Sequence, residues 1–446
     1  MEGLNKGFKF LCLSKDLDLE RTLFGGQSFR WIKSELQNEL IYSSVLKNFE
    51  GHFKIYSLVQ RDENILFRRE LESLTAATQG FTKKENIKLE DGNDFEAIRM
   101  EKSINIKEEP NIEGDKDLNF LKSYFQLNVD INELFNVWSN ADLNFRMKSQ
   151  NFKGIRVLDQ HPVENTFSFI CSSNNNISRI TLMISKMAKK YGKFIGKFND
   201  VEFFSFPEIQ DLAKDVVEDE LRELGFGYRA KYIFKSAKFL MNNGGEDFLY
   251  NIKKLPYFEA KVELLKLTGV GPKVADCILL MSLGKTEAIP IDCHVWQIVT
   301  RDYNFKSKSK SLSSATYLEI FEMFYKIFGV YAGWAQNILF CADLRQFKEK
   351  KSKRTLSELE LDEIETKKNI DDKVPLENSI IKNEEIEDLE NIKMEDAKKE
   401  NDIISYSVKL EKTIDLANEN GEVFDLFSKQ REYANKFLES RARYLH

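Results

Sequence analysis

The chain has 446 residues, 66 Lys/Arg against 72 Asp/Glu, a formal net charge of -6, and 42% hydrophobic and 31% charged residues. That length accommodates two or three domains; no apolar run approaches the about 18 residues of a membrane span, and no secretory or Arg/Ser-rich transit pattern opens the chain, so an intracellular protein is expected. Five scattered cysteines, Cys12, Cys171, Cys277, Cys293 and Cys341, fit neither a disulfide framework nor a zinc module, and the four histidines do not pair, so neither a catalytic metal nor a cofactor is expected.

Residues 1–81 alternate in short apolar runs, FKFLCL, SFRWI, LIYSSVL, HFKIYSLV and ILFRREL, whose aromatic and β-branched content predicts antiparallel strands. Gly25 and Gly26, in FGGQSFRW, read as a turn before a strand. From about 82 to 117 the sequence is acidic, rich in Asn and Lys and without period, which predicts a disordered insertion. NFLKSYFQLNVDINELFNVW then returns to helical spacing and leads into a helical body. In SSNNNISRITLMISK, Asn174, Asn175 and Asn176 are turn and N-cap residues before an amphipathic helix. Gly225 and Gly227 mark a loop before the helix carrying Arg229, with Tyr228 between loop and helix.

The next segment concentrates the chemistry. In LTGVGPKVADC, Gly269 and Gly271 let the backbone turn through positive φ and approach another molecule without an intervening Cβ. Pro272 suits a first helical turn, so a helix is expected from Pro272 to Leu283, preceded by another over Tyr257 to Leu267. The unpaired N–H groups that open such a helix suit a phosphate oxygen. A dinucleotide-binding turn is the competing reading, but GVGPKV lacks the third glycine and follows a helix rather than a strand. Lys273 stands at the positive end of the helix, where a cation is disfavoured, which makes its amine a candidate nucleophile. Cys277 shares its face, and Asp292, in PIDCHVW, is a carboxylate able to stabilise developing positive charge. Structural roles compete for each: Lys273 as a phosphate counter-ion, Cys277 as core, Asp292 as the N-cap of the helix that follows.

YAGWAQNILFCADLRQ closes the body, with Gln336 and Phe340 four apart on one helical face. KEKKSKR, residues 348–354, is a basic cluster of the kind read by nuclear import, so a nuclear protein is expected; a mitochondrial pool stays open. The charged extension beyond it reads as largely disordered, and its last 25 residues have the spacing of a helix able to dock a partner. From 351 onward about 17 basic residues face about 24 acidic ones, and from 82 to 117 about 7 face about 11, which leaves the remainder mildly basic, as a nucleic-acid binder requires. The expected architecture is α+β: an N-terminal antiparallel β-sheet domain over 1–149, a mostly α-helical body over 150–347, and an extension over 348–446.

These strings, in this order, resemble the helix-hairpin-helix superfamily of DNA glycosylases, with its Gly/Pro-rich loop and aspartate, and within it the 8-oxoguanine DNA glycosylase/lyase family. The resemblance covers most of residues 10 to 347. It implies Lys273 as the Schiff-base nucleophile and Asp292 as its electrostatic partner. It gives the damaged base to Gly26, whose carbonyl accepts the N7–H of 8-oxoguanine, to Cys277 and Phe340 on the two base faces, and to Gln336 on the Watson-Crick edge. Asn174, Arg179 and Arg229 would read the opposite cytosine, Tyr228 would wedge the opened step, and Gly269, Gly271 and His294 would meet phosphates. Asp343 matches an aspartate near the active-site rim. Thr268 departs from the usual proline, Pro272 from a usual polar residue, and Cys293 and Val295 from other apolar residues, which touches pocket detail more than chemistry.

The implied activity is that of a monomeric base-excision enzyme on double-stranded DNA, which extrudes an oxidised purine opposite cytosine, cuts its N-glycosidic bond and nicks the strand by β-elimination. A monofunctional alkyl-purine glycosylase that activates water through Asp292 is the first rival, and Lys273 argues against it. A non-enzymatic DNA-binding adaptor is the second.

Overall fold

The computed structural model describes residues 7–70, 115–306 and 312–347. Of the acidic insertion expected over about 82–117, the part up to residue 114 lies outside the described residues, as do the basic cluster 348–354 and the expected terminal helix.

Five strands form one antiparallel sheet: β1 (Lys9–Leu13), β2 (Ile32–Leu36), β3 (Glu39–Lys47), β4 (Phe53–Arg61) and β5 (Asn64–Arg69), in the order β1-β5-β4-β3-β2. Tight turns set the register. Gln37 and Asn38, both at positive φ, close β2 onto β3, the backbone twist that two-residue hairpins favour. Side-chain alternation sends Tyr42, Leu46, Tyr56 and Leu58 to one face, where they pack with Leu23 of helix α1 (Leu19–Phe24) and Phe120, Leu121 and Tyr124 of α2 (Lys116–Tyr124). Val45 and Ile55 reach the opposite face and meet Phe203. Both faces of the central strands are therefore covered, which is why β3 and β4 are buried along most of their length.

Two expectations are corrected at the edges of this sheet. SFRWI is not a strand: β2 begins only at Ile32, and Phe29 and Trp31 are buried in a loop. Side chains anchor the start of that loop to neighbouring segments. Gln27 Nε2 donates to the carbonyls of Thr22 and Arg156, Gln27 Oε1 accepts from Leu158 N, and Gln160 Nε2 donates to Gln27 O. The expected insertion to 117 also ends earlier, because the Asp115 carboxylate caps α2 by accepting from the N–H groups of Asp117 and Leu118.

The remainder is helical apart from one hairpin. In chain order follow α3 (Ile131–Ala141), α4 (Leu143–Ser149), α5 (Pro162–Ile170), α6 (Ile177–Tyr191), strands β6 (Phe194–Phe198) and β7 (Val201–Phe204), α7 (Ile209–Leu212), α8 (Val217–Glu223), α9 (Arg229–Asn242) and α10 (Glu246–Lys253). Then come α11 (Tyr257–Leu264), α12 (Pro272–Ser282), α13 (Cys293–Asp302), α14 (Ser314–Phe328) and α15 (Ala332–Asp343). Among the described residues no helix is long and apolar enough to cross a membrane.

The chain divides into two compact units. The first contains Met1–Ala141 with Gln150–Pro290, hence the sheet and α5 to α12. Within it α12 packs on α5 and α11, and the buried Arg156 guanidinium donates to the carbonyls of Asp16, Gln126 and Val129, fixing three loops at one point. The second contains Asp142–Ser149 and the described residues from Ile291 onward. There α15 lies among α4, α13 and α14, with Phe324 stacked on Phe328 and Phe145 tilted against Phe328 in the core.

Candidate active site

In the first unit, α11, a short turn and α12 form the expected helix-hairpin-helix. Gly269 turns at φ +83°, and a Cβ there would lie 2.7 Å from Tyr232 of α9, so the residue must be glycine for backbone and packing alike. Gly271 differs from the expectation. Its backbone is extended, at φ -96° and ψ -178°, and a Cβ would meet nothing within 4 Å. Among the described residues no atom stands where that Cβ would lie. No side chain caps α12, and Pro272 occupies its first turn.

Lys273 is half-buried one residue further on. Its Nζ donates to Ser172 Oγ at 3.4 Å and lies 5.4 Å from the Phe169 ring centroid. Among the described residues of its own unit, no carboxylate pairs with it. Phe169 and Ser172 belong to the C-terminal end of α5, where carbonyl oxygens favour a cation. The amine thus stands between the start of one helix and the end of another, not under the influence of α12 alone.

One turn along α12, Asp276 is fully buried and explains how the two hairpin helices are held. Its carboxylate accepts from Lys261 Nζ at 2.7 Å and from Tyr257 OH at 2.9 Å, with Lys261 and Asp276 side chains 1% and 0% exposed. Sequence reasoning passed over this group, although a lone aspartate in the apolar run VADCILL signals a buried partner. Cys277, beside it, is buried at 2% exposure. Ser172 and Phe169 were also missed, and no sequence signal singles them out.

The asparagine loop lies at the same end of α5. Asn174 is exposed at φ +45°, Asn175 Nδ2 donates to Cys171 O at 2.9 Å, and Asn176 caps α6 by accepting from Arg179 N at 2.9 Å. Arg179 is exposed in the first turn of α6. Arg229 is not: at 3% exposure its guanidinium donates to Ser173 O and Asn174 O, and it lies over the Tyr228 ring, centroid 4.5 Å away. Tyr228, 38% exposed, donates from its hydroxyl to Ser173 O at 3.1 Å. Burial pushes the Cys171 thiol up to about 12 despite the nearby Arg229 charge, which disfavours its thiolate. Gly26, at φ +89°, sits in the loop between α1 and β2.

The remaining candidates belong to the second unit. Asp292 is the N-cap of α13, its Oδ1 accepting from His294 N at 2.9 Å and Val295 N at 3.0 Å. The capping role is therefore real, and within this unit Oδ2 makes no hydrogen bond among the described residues, so one oxygen of a rigidly held carboxylate is left for chemistry. His294 is exposed and meets Phe340 edge to face, with centroids 6.2 Å apart. Gln336 is 4% exposed on α15, and Asp343 at its end pairs with Arg301 at 3.0 Å. Among the described residues no cluster of His, Cys, Asp and Glu could hold a metal ion.

Known proteins carry the same features. Residues 9–166 match the model of the 8-oxoguanine DNA glycosylase N-terminal domain, and residues 167–323 that of the helix-hairpin-helix superfamily of base excision DNA repair proteins. The N-glycosylase/DNA lyase of Saccharomyces cerevisiae is 34% identical over 366 residues, 76% of this chain and 87% of the relative. The N-glycosylase/DNA lyase of Arabidopsis thaliana is 40% identical over 226 residues, 50% of this chain and 61% of the relative. The Clostridium acetobutylicum 8-oxoguanine glycosylase/lyase, solved with double-stranded DNA containing cytosine opposite 8-oxoguanine, superposes with a TM-score of 0.55 at 26% identity, covering 73% of this chain and 91% of that one. A five-stranded sheet joined to a helix-hairpin-helix body with a lysine opening its second helix, matched along these lengths, means that the chain belongs to the 8-oxoguanine DNA glycosylase/DNA lyase family.

Proposed function

We propose that this chain removes 8-oxoguanine paired with cytosine from double-stranded DNA and then cuts the abasic strand, with Lys273 as the nucleophile. The observation that carries the assignment of Lys273 is its place: an amine one residue into a helix whose approach is open at Gly271, with a hydroxyl and a ring but no carboxylate beside it in its own unit. The sugar carbon that reacts is hidden in stacked DNA, so the damaged nucleotide must first be extruded. The amine lone pair attacks C1′ and the bond to the base breaks with its electrons on the base; loss of a proton from the nitrogen and opening of the C1′–O4′ bond, with the ring oxygen taking a proton, then give a Schiff base that permits β-elimination of the 3′ phosphate. Asp292 stabilises positive charge on the sugar, its orientation fixed by the two N–H groups it caps.

The same reading gives Gly26, Cys277, Gln336 and Phe340 to the extruded base, and Gly269, Gly271 and His294 to phosphates. Asn174 and Arg179, both exposed, suit the edge of the unpaired cytosine, and Tyr228 suits a wedge in the opened step. Arg229 enters this proposal differently from the sequence expectation: it shapes the loop that presents Asn174 by holding two of its carbonyls.

Borohydride reduction tests the nucleophile. Wild-type protein on an 8-oxoguanine:cytosine duplex is expected to trap as a covalent complex, and Lys273→Gln to give none. Equal trapping by both would remove Lys273 from the role. Release of methylated purines by an enzyme that never traps would favour the water-activating alternative, and binding without any base release the adaptor.

A further inference from the structure

Four groups form a chain from the asparagine loop to the nucleophile. Arg229 holds the carbonyls of Ser173 and Asn174 at 3.1 and 2.9 Å, and Tyr228 OH donates to the first of these. Ser172, the preceding residue, donates its hydroxyl proton to Phe169 O at 2.7 Å, and its backbone N–H reaches the same carbonyl. A serine hydroxyl has one proton. With that proton on Phe169 O, Ser172 can only accept from Lys273 Nζ, so the contact orients the amine while leaving the amine's lone pair uncommitted.

We propose that Ser172 is a positioning residue that ties the reactivity of Lys273 to the loop of residues 173–176, so that the covalent step runs faster when that loop meets cytosine than when it meets another base. The inference rests on the function proposed above and deepens it. In the step concerned the amine lone pair forms the bond from Nζ to C1′ while the bond from C1′ to the base breaks with its electron pair on the base; the nitrogen then gives up a proton to water and the base takes one from water. Ser172 touches no reacting atom. It acts through the direction of the amine, which a single contact of 3.4 Å leaves sensitive to movement of the adjoining backbone. Asn174 stands at φ +45° two residues away, a strained conformation held by the Arg229 contacts.

The test is single-turnover excision and borohydride trapping by wild type, Ser172→Ala and Ser172→Thr on duplexes with cytosine or adenine opposite 8-oxoguanine, with DNA affinity and thermal midpoint measured beside the rates. Removing one hydrogen bond predicts that Ser172→Ala slows reaction on the cytosine duplex about three- to tenfold, with affinity unchanged within about twofold. Its rate on the adenine duplex should change less, so the cytosine-to-adenine rate ratio falls. Ser172→Thr keeps the hydroxyl and should restore both rate and ratio. Equal slowing on both duplexes would overturn the coupling, and unaltered rates would overturn the positioning role as well. Arg229→Lys supplies a route that does not depend on the folding of the alanine variant: alone it should lower the cytosine-to-adenine rate ratio, and an unchanged ratio would sink the link; combined with Ser172→Ala, the two effects should be non-additive. Wild-type protein that releases no base from either duplex would refute the underlying function instead.

Discussion

Replacing Lys261 by methionine keeps an unbranched stem of similar length in the same buried slot but removes the cation from the Asp276 carboxylate while leaving the hydrogen bond from Tyr257 OH. Both charged side chains are essentially without solvent, at 1% and 0% exposure, so water cannot replace the lost partner. Breaking such a pair from one side typically destabilises by about 3–5 kcal/mol, a large fraction of the about 5–15 kcal/mol available to a folded domain. Removing the acid as well, in Lys261→Met with Asp276→Leu, deletes the desolvated charge and should recover most of that loss, leaving about 1 kcal/mol for the hydrogen bond that the Tyr257 hydroxyl loses. Urea unfolding of the two single variants, the double variant and wild type closes a double-mutant cycle, and the expected interaction energy is at least about 2 kcal/mol. The triad is also what pins α11 to α12, so the single variant should weaken borohydride trapping before it unfolds globally. A Lys261→Met protein within about 1 kcal/mol of wild type, or a double variant as unstable as the single, would refute the claim that this pair holds the hairpin.

The two hairpin glycines should separate stability from binding. Gly269→Ala places a Cβ at φ +83° and 2.7 Å from Tyr232, and is expected to destabilise by about 2–4 kcal/mol in the same urea assay. Gly271→Ala, with open space and ordinary φ, should unfold like wild type but bind duplex DNA roughly ten- to a hundredfold more weakly, as loss of a backbone contact to a charged phosphate would; unchanged affinity would remove Gly271 from the interface. Acid stability should depend on Glu246. Burial raises its carboxyl, but hydrogen bonds and charge from His161 and Lys47 outweigh burial and hold it at about 2, below its ordinary 4.5. The depressed value means a contribution on the order of 2–3 kcal/mol that is complete above about pH 4.5 and lost as pH falls toward about 2, so Glu246→Gln should flatten the acid limb of a stability-pH curve over that window.

The sheet was legible because its strands alternate and its turns are polar, and four of five apolar runs became strands near their expected bounds. SFRWI misled because apolar and aromatic residues satisfy a buried loop as well as a buried strand; here the adjoining Gln27 ties the loop to Arg156, Leu158 and Gln160, more than a hundred residues away, rather than a ladder holding it. Helix α1 escaped notice for a related reason. At six residues it is too short to show a period, and only its Asp18 cap marks it.

At the site, spacing disclosed what a single helix determines and nothing that two elements share. Lys273 at a helix start, Asp292 at a cap and Asn176 before α6 follow from local sequence, and the structure places all three there. The group beside the lysine amine is Ser172, 101 residues earlier, and a serine after a helix carries no mark of such a contact. Arg229 shows the converse. Its place before a helix is compatible with solvent or with burial, and only the carbonyls of Ser173 and Asn174 decide for burial. An arginine that completes a loop's hydrogen bonds can be as necessary to recognition as one that touches a base, yet substitution separates the two. A lysine there retains charge for a phosphate or base but cannot satisfy both carbonyls with a planar fork, so a large effect of Arg229→Lys on opposite-base preference, with little change in overall affinity, is what loop support requires.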